Sequence, residues 1–530
     1  NFSFQNGGAV LWNGDFGTLS GCIFTGNSIN RTNVSNLTFF GGGAVYWNGA
    51  SGNLNNCIFT NNYLNIAGVN LSCIGGGAVY WNGASGNLNN CMFTDNYCSL
   101  NGSLLNEWGG GAVYWNGANS NISHCNFTGN FVTYTSSISG GAVYWSSYAP
   151  NGRLSNCNFI DNNATDGAAV AWGGANGTLI DSTFIGNNAS NNGGGVIWYG
   201  ANGTLIDSTF TNNLANGGAG VYWNGANGTL KSSTFINNSV IKYNGGGLFW
   251  NGANGTLKSS TFIGNTVNVY NGGGLYWNGA NGTITTSIFT NNTVKGHGGG
   301  LFWNGANGIL INSSFTGNSA VDYYGGGVSW NGANGTITGS DFTSNTANQL
   351  GGGLFWQNTG SNGHLVNSNF INNAANQYGG GVYWNAANGI LSNSIFIGNI
   401  ATSGAGVNWV GVNGSLSNCK FINNTANQYG GAVRWGADNG TIIDSIFMSN
   451  TANNGGAISW VINYVHGNLS GCTFINNTAN QHGGAICWFN SNGILTNCTF
   501  KGNIAEEGIG GAIYYDGSAV NNILTNCTFK

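Results

Sequence analysis

The stretch from residue 245 to residue 265, GGGLFWNGANGTLKSSTFIGN, contains the pattern that decides the fold. It combines a glycine run, an aliphatic-X-Trp triplet, Asn-Gly turns, a second aliphatic residue, and a Phe followed three places later by Asn. The same order recurs in nineteen copies, whose Trp positions are Trp12, Trp47, Trp81, Trp115, Trp145, Trp172, Trp198, Trp223, Trp250, Trp277, Trp303, Trp330, Trp356, Trp384, Trp409, Trp435, Trp460 and Trp488, with Tyr515 in the last. A repeat at this spacing indicates a solenoid rather than a series of compact domains.

The copies predict strands through the alternation of restricted and variable positions. The residue two places before Trp is always Val, Leu or Ile, whereas the residue between them varies from Tyr46 to Ala171 to Arg434. Successive side chains of a strand point to opposite faces, so the aliphatic residue and Trp face inward and the variable residue faces outward. A second strand centres on a residue such as Leu257, and a third on Phe262. We therefore predict three short strands per copy, separated by Asn- and Gly-rich turns.

The Asn three residues after Phe is present in all eighteen copies that extend so far, as in Asn27, Asn62 and Asn318. A buried turn amide can bond the equivalent amide of the coil above and below, which explains such a column. These features together predict an all-β fold, a parallel β-helix of about 19 coils with like residues stacked along its axis.

Composition excludes several function classes. Only 24 of 530 residues are charged, the net charge is −4, Gly numbers 95 and Pro only 1. Collagen requires far more proline, disordered chains lack this aromatic content, and no apolar run reaches the length of a membrane span. Ten scattered basic residues do not form a nucleic-acid surface. We expect no nucleic-acid partner, no membrane span in this segment and no cofactor.

The repeats resemble those of the polymorphic outer-membrane proteins (Pmp) of chlamydiae and of adhesin-like surface proteins of methanogenic archaea. The resemblance rests on Gly42-Gly43-Ala44-Val45 with Phe59-Thr60-Asn61-Asn62, and on Gly246-Gly247-Leu248 with Phe262-Ile263-Gly264-Asn265. It covers the whole chain and implies a right-handed β-helix displayed on a cell surface, extracellular, and used in attachment or in the cell coat. The abundant Trp and the low charge favour the archaeal type.

The resemblance assigns no catalytic residue, and the sequence organisation is that of one domain. We expect a single β-helix over residues 1-530, with long lateral insertions in the coils of residues 1-140 and regular coils of 25-28 residues over 141-530. Because the repeats begin at Asn1 and stop at Lys530, we also expect the chain to be a segment of a longer protein.

Nine of the twelve cysteines occupy one slot, two residues before Phe, where the other copies carry Ser. This interchange indicates a small buried core position, although disulfides between adjacent coils stay open because the coil spacing lies within their usual Cα range. Cys73 and Cys98 lie off the slot in neighbouring insertions, and we name them as a disulfide candidate. No CxxC or His spacing indicates a metal site.

An enzyme is the less favoured alternative, because parallel β-helices include glycan-degrading enzymes. Asp181 and Asp207 hold one position in successive coils, and Lys231 and Lys258 precede that position in the next two. A carboxylate cluster with a base would suit such chemistry. The same column contains Asn and Ser elsewhere, however, so we interpret it as a polar turn and predict no enzymatic activity.

Two surfaces are candidate binding sites. The outward position before Trp carries a recurring aromatic strip, which we expect to project over a nearly bare Gly/Ala backbone and to contact sugars or a second chain. Its members are Tyr46, Tyr80, Tyr114, Tyr144, Tyr222, Phe249, Tyr276, Phe302, Phe355 and Tyr383. The alternative is that these aromatics only suit strands and cover one another. The second surface is formed by the four long insertions, about residues 28 to 40, 63 to 74, 97 to 108 and 131 to 139.

Asn-X-Ser/Thr sequons are frequent and are glycosylation candidates, although Asn-rich turns produce such matches by chance. They include Asn33, Asn36, Asn70, Asn101, Asn202, Asn227, Asn281 and Asn334.

The predicted function is a non-catalytic, adhesin-like surface rod that binds a cell-surface glycan or protein. The alternative is a structural subunit that associates with copies of itself in a filament, sheath or cell coat, because open strand edges can template further pairing.

Overall fold

A computed structural model describes residues 1–3, 6–35, 38–133, 139–359, 361–461, 466–489, 492–516 and 522–530; within these, the side chains of residues 70–73, 101–107, 466 and 492 are outside the description. The chain divides into two compact units, Asn1–Asn268 and Val269–Lys530. All pairings between strands within each unit are parallel, and each strand pairs with its equivalent in the next coil. We name three kinds of strand after the inward residue that recurs in them, as Trp, Leu and Phe strands, and a fourth kind, the Asn strands, after the Asn turn that precedes them in the coil.

In the first unit, the Trp strands are Val10–Trp12, Val45–Trp47, Val79–Trp81, Val113–Trp115, Val143–Trp145, Val170–Trp172, Val196–Trp198, Val221–Trp223 and Leu248–Trp250. The Leu strands are Thr18–Ser20, Asn53–Asn55, Asn87–Asn89, Asn121–Ser123, Arg153–Ser155, Thr178–Ile180, Thr204–Ile206, Thr229–Lys231 and Thr256–Lys258. The Phe strands are Ile23–Thr25, Ile58–Thr60, Met92–Thr94, Asn126–Thr128, Asn158–Ile160, Thr183–Ile185, Thr209–Thr211, Thr234–Ile236 and Thr261–Ile263.

In the second unit, the Trp strands are Leu275–Trp277, Leu301–Trp303, Val328–Trp330, Leu354–Trp356, Val382–Trp384, Val407–Trp409, Val433–Trp435, Ile458–Trp460, Ile486–Trp488 and Ile513–Tyr515. The Leu strands are Thr283–Thr285, Ile309–Ile311, Thr336–Thr338, His364–Val366, Ile390–Ser392, Ser415–Ser417, Gly440–Ile443, His466–Ser470, Asn492–Thr496 and Ile523–Thr525. The Phe strands are Ile288–Thr290, Ser314–Thr316, Asp341–Thr343, Asn369–Ile371, Ile395–Ile397, Lys420–Ile422, Ile446–Met448, Thr473–Ile475, Thr499–Lys501 and Thr528–Phe529.

A further pairing follows each Asn turn, and we call these segments Asn strands. In the first unit they are Phe2–Ser3, Asn6–Gly7, Ser28–Ser35, Thr38–Gly42, Tyr63–Gly76, Tyr97–Gly110, Phe131–Thr133, Ser139–Gly140, Asn163–Ala164, Asn188–Ala189, Leu214–Ala215, Ser239–Val240 and Thr266–Val267. In the second unit they are Thr293–Val294, Ser319–Ala320, Thr346–Ala347, Ala374–Ala375, Ile400–Ser403, Thr425–Tyr429, Thr451–Asn454, Thr478–His482 and Ile504–Ala505. The predicted three strands per coil are confirmed, and the Asn strands accompany them.

The core consists of stacked columns, as the alternation predicts. Val45 and Trp47 have 0% exposure, and so do Leu54 and Phe59 of the same coil. Like rings stack almost face to face between coils: the centroids of Trp172 and Trp198 are 4.7 Å apart with an interplanar angle of 2°. Burial of such rings is the main stabilising term, because each removes a large apolar area from water.

Two glycine positions are required by close approach rather than by turn geometry. A Cβ on Gly43 would overlap the carbonyl oxygen of Gly77 in the next coil, so the glycine pair allows the backbones of neighbouring coils to touch. A Cβ on Gly52 would overlap the indole of Trp47, which lies flat against the backbone after the Asn-Gly turn. The indole N–H of Trp47 donates to the carbonyl oxygen of Gly49 at 3.0 Å, which satisfies its only polar group.

The predicted Asn ladder is present in both units. The side-chain amide of Asn96 donates to the Oδ1 of Asn130 at 3.0 Å and to the carbonyl oxygen of Phe59 at 2.9 Å. Its own Oδ1 accepts from the backbone N–H of Asn62 and from the Asn62 amide, both at 3.0 Å. Every hydrogen-bonding position of this buried side chain is therefore used, and only Asn offers this set at this length.

Candidate functional site

The outward aromatic strip forms stacked rings rather than isolated ones. Tyr46 and Tyr80 have ring centroids 4.9 Å apart, and Tyr114 lies 5.3 Å beyond Tyr80. Tyr222 and Phe249 stack at 4.5 Å. The same arrangement occurs in the second unit, where the stacked pairs are Tyr276 with Phe302 and Phe355 with Tyr383.

The expectation that the rings of this strip project over a nearly bare backbone does not hold for half of its members, which are covered. Tyr80, Tyr114, Tyr144, Phe302 and Phe355 are 7% exposed or less. The other five, Tyr46, Tyr222, Phe249, Tyr276 and Tyr383, are half-buried. Whether these rings bind a ligand stays a prediction, but the accessible part of the strip is confined to the second group.

The cover comes from the segments between the Asn turn and the next glycine pair. In the first unit, Ile74 and Trp108 of the long insertions pack against the cluster of Tyr80, Tyr114 and Tyr144. In the second unit, the ring centroid of Tyr324 lies 4.7 Å from that of Phe355, and the ring centroid of His297 lies 6.3 Å from that of Phe302. Periodicity does not specify where these variable segments fold back, so the burial was not visible in the sequence.

Where the cover is incomplete, a cavity of about 230 Å³ opens beside the strip in the first unit. Tyr222 and Phe249 form an aromatic wall, and Tyr243, Asn192 and Asn244 complete the lining. Sequence analysis identified the first two and missed the other three, because they lie in the variable segments, where no column repeats. Aromatic rings combined with a few converging amides are typical of small-ligand sites, including those for sugars.

A buried carboxylate adjoins this cavity. Asp166 is 8% exposed, and its Oδ1 accepts from the Asn191 side-chain amide at 2.9 Å and from the Asn192 backbone N–H at 3.1 Å. Burial raises the pKa of Asp166, and the two asparagine bonds oppose that shift. Burial, and secondarily the proximity of Asp166, raises the pKa of both Tyr199 and Tyr222. The phenol groups are therefore neutral donors at physiological pH, which suits an uncharged hydroxyl-rich ligand.

Of the four residues considered for catalysis, Asp181 and Asp207 lie in a polar turn, and Lys231 and Lys258 are the last residues of the strands that lead into it. Asp181 and Asp207 have φ of 49° and 47°, the left-handed region that the column's Asn and Ser residues also adopt. The backbone N–H of Asp207 donates to the carbonyl oxygen of Lys231 at 3.1 Å, and Lys231 pairs with Lys258 in adjacent strands. This geometry fits the turn interpretation. Within the described part of the chain, no three His, Cys, Asp or Glu side chains group as metal ligands.

The cysteine slot is a hydrogen-bonded column of thiols and hydroxyls. The backbone N–H of Cys57 donates to the Sγ of Cys91 at 3.4 Å, and that of Ser182 to the Oγ of Ser208 at 3.2 Å. The thiol of Cys57 donates to the carbonyl oxygen of Asn55. Ser and Cys make the same contacts, which explains their interchange, and the nine slot cysteines are present as thiols.

The disulfide candidate is only partly described. The side chain of Cys73 lies outside the described residues, while its backbone pairs with Phe39 and Glu107. Cys98 is buried in a cluster that also contains Phe39 and Leu64. A link between Cys73 and Cys98 stays a prediction.

The long insertions pair with one another and form an extended sheet. Strand Tyr63–Gly76 pairs with strand Tyr97–Gly110 along nearly its whole length. Ile29, Leu64, Ile66 and Leu100 form its buried apolar side. The insertion of residues 131 to 139 lies partly outside the described residues.

Four of the glycosylation candidates lie at equivalent positions of exposed Asn turns, two in each unit. Asn202, Asn227, Asn281 and Asn334 are exposed. The Nδ2 of Asn227 donates to the Oδ1 of Asn202 at 3.1 Å, so such turns form an outer amide ladder. Asn33 is also exposed, whereas Asn36 lies outside the described residues, as do the side chains of Asn70 and Asn101.

Comparison with protein families supports the fold and the repeat type. The profile of the right-handed β-helix region matches residues 169–296, and that of the Chlamydia polymorphic membrane protein repeat matches residues 471–487 and 497–516. The chain is thus a right-handed parallel β-solenoid, and its repeats resemble the Pmp type, which suggests a surface protein. The closer likeness to methanogen surface proteins stays a prediction. The sequence has no significant match among curated proteins.

Two solved structures match the chain only weakly, both in sequence and in superposition. The PL6 family alginate lyase AlyGC is 9% identical, with 97% of each chain covered and a TM-score of 0.26. The Agl-KA catalytic domain is 13% identical, covering 83% of this chain and 62% of its own, with a TM-score of 0.22. Likenesses this weak say nothing about activity. No helix in the described residues is long and apolar enough to span a membrane.

Proposed function

We propose that the protein is a non-catalytic, extracellular adhesin of the cell surface that binds neutral glycans through the cavity beside Tyr222. The observation that carries this proposal is the combination of two stacked rings with the amide-bearing residues Asn192 and Asn244 around one opening of about 230 Å³. Apolar sugar faces pack on aromatic rings, while hydroxyl groups exchange hydrogen bonds with amides.

The repeat resemblance and the construction of the fold support the surface role. Stability comes from ring columns and amide ladders rather than from charges, because only 24 of 530 residues are charged. Such a structure depends little on ionic strength, since screening acts on exposed charges. It suits a molecule that holds a binding surface away from a cell.

The test is binding of the purified full chain to an array of neutral oligosaccharides, with affinities measured by calorimetry. Tyr222→Ala should weaken binding at least tenfold, a loss of about 1.4 kcal/mol. Phe249→Ala should act similarly, because it removes the stacked partner of Tyr222. Tyr148→Ala is the matched control, since Tyr148 is 71% exposed and does not line the cavity.

Several outcomes would overturn the proposal. Binding that is absent, or that is unchanged in Tyr222→Ala, would remove the cavity as the site, and ordered assembly of the free chain would favour a structural subunit instead. Mass spectrometry of the oligosaccharides after incubation tests the lack of catalysis. Shortened or unsaturated products would contradict it.

A further inference from the structure

In the second unit, the outward column changes from aromatic to polar over three consecutive coils. Asn408, Arg434 and Ser459 occupy it in register, directly after Tyr383. Asn408 and Ser459 are 0% exposed, and Arg434 is half-buried. Ser329 interrupts the rings of this column singly, between Phe302 and Phe355, whereas here three polar residues follow one another.

Arg434 is a half-buried cation that has no ionic partner among the described residues. Burial lowers its pKa, and the groups that oppose this shift are Tyr378, Tyr383 and Tyr429. Its guanidinium carbon lies 5.3 Å from the centroid of the Tyr378 ring. No carboxylate among the described residues forms an ion pair with it. Taking a charge out of water without a counter-ion is costly, so such a group is stabilised by an incoming anion.

The surrounding polar atoms keep hydrogen-bonding capacity. Nη1 of Arg434 donates to the Oδ1 of Asn408 at 3.1 Å, which orients the guanidinium. The Nε of Arg434, the Nδ2 of Asn408 and the Oγ atoms of Ser459 and Ser403 are buried and have no hydrogen-bond partner among the described residues. Gly404, next to Ser403, lies against the Cβ of Arg434. Buried groups left unsatisfied are rare in folded proteins. Here they occur on Asn408 and Ser459, the strand neighbours of Arg434, on Ser403 beside Gly404, and on the Nε of Arg434 itself.

We propose that this cluster, Ser403, Asn408, Arg434 and Ser459 with the rings of Tyr378, Tyr383 and Tyr429, binds the carboxylate of an acidic sugar. With Nη1 held by Asn408, the Nε edge of the guanidinium offers the paired donors that a carboxylate accepts. Asn408 and Ser459 supply further hydrogen bonds, and the phenol rings provide faces for a pyranose. The half-buried Tyr378 ring lies over the guanidinium and turns aside on binding, a side-chain change common at interfaces.

The site is separate from the cavity of the first unit, so the two proposals fail independently. The probe is an oligosaccharide of uronic acids, compared with its carboxyl-reduced, neutral counterpart and with a glutamate-rich peptide. Calorimetry on the full chain should show binding of the uronate at least tenfold tighter than of the neutral counterpart. The uronate should also raise the melting temperature.

Arg434→Met should weaken uronate binding at least tenfold and leave neutral-glycan binding at Tyr222 unchanged. Lys420→Met is the matched control, because it removes an exposed positive charge of the same unit. If Arg434→Met fails to fold, the proposal is tested by uronate binding to Asn408→Ala and by the melting shift that the uronate causes in the unmodified protein. Equal affinity for the uronate and its neutral counterpart, unchanged binding in Arg434→Met, or preference for the glutamate-rich peptide would each overturn the proposal.

Discussion

Replacing one asparagine of the inner ladder tests how the solenoid is stabilised. Asn345 is 0% exposed, and its Nδ2 donates to the Oδ1 of Asn373 at 3.0 Å and to the carbonyl oxygen of Phe315 at 2.8 Å. Its Oδ1 accepts from the backbone N–H and the side-chain amide of Asn318, both at 3.0 Å. Asn345→Ala removes these four bonds, although the Oδ1 of Asn373 still accepts from the backbone N–H of residue 345 and the Asn318 amide still donates to the carbonyl oxygen of Phe289.

The expected cost is large for a single polar side chain. Four buried hydrogen bonds at about 1 kcal/mol each give a loss of about 4 kcal/mol in unfolding free energy. Asn345→Asp separates this effect from that of a cavity, because it keeps the volume but replaces two donors with an acceptor that faces other acceptors. We expect it to be at least as destabilising as Asn345→Ala at neutral pH.

Guanidinium unfolding followed by Trp fluorescence measures the change, because the indoles of the neighbouring coils are buried. Solenoids open locally, so hydrogen exchange of the peptides around residues 315–375 should be measured alongside. The control is Asn334→Gly in the outer ladder. Asn334 is exposed, has φ of 55° and makes two side-chain ladder bonds, so glycine there should change stability by less than about 1 kcal/mol. Equal effects of Asn345→Ala and Asn334→Gly would refute the reasoning.

Three further predictions concern pH, thiols and glycans. Burial lowers the pKa of His297 from 6.5 to about 4, so the unfolded chain binds more protons between these values and stability should fall as the pH falls through that window. His297→Phe should flatten this dependence in denaturant titrations, and an unchanged profile would contradict the assignment. Iodoacetamide should label the half-buried Cys22 and Cys527 of the native protein before Cys419, because burial raises the pKa of Cys419 to about 12. Mass spectrometry measures the order of labelling, and the reverse order would contradict a closed cysteine column. Glycopeptide mapping of native material should not find Asn202 and Asn227 glycosylated on the same molecule, because their side-chain amides are hydrogen-bonded to each other in the outer amide ladder.

The repetitive half of this structure was predictable from sequence, and the variable half was not. Trp47, Phe59 and Asn62 recur in every complete copy in the same order, with Asn always three residues after Phe, and a residue repeated in this way in a solenoid becomes a column in space. Their inward orientation follows from strand alternation alone, and the Cys/Ser interchange at Cys57 follows from the shared contacts of its slot.

The binding features lie where the copies differ. Tyr80 is buried by Ile74 and Trp108, which belong to insertions without a repeated pattern. Asn192 and Tyr243 reach the cavity only because their segments fold back over the outward column. Alignment of the repeats shows that Arg434 interrupts the aromatic strip, but only the structure shows that it is desolvated and has no carboxylate among its described neighbours. Sequence periodicity fixes the scaffold, and the aperiodic connections determine access to it.

Electron microscopy of immunolabelled native cells tests the surface-adhesin account most directly. The account predicts that the label lies on separate projections at the cell surface. Added neutral glycan should bind to these projections without changing their arrangement. Continuous or laterally packed fibres carrying the label throughout would contradict it, because the chain would then be a structural subunit and its aromatic column an assembly interface.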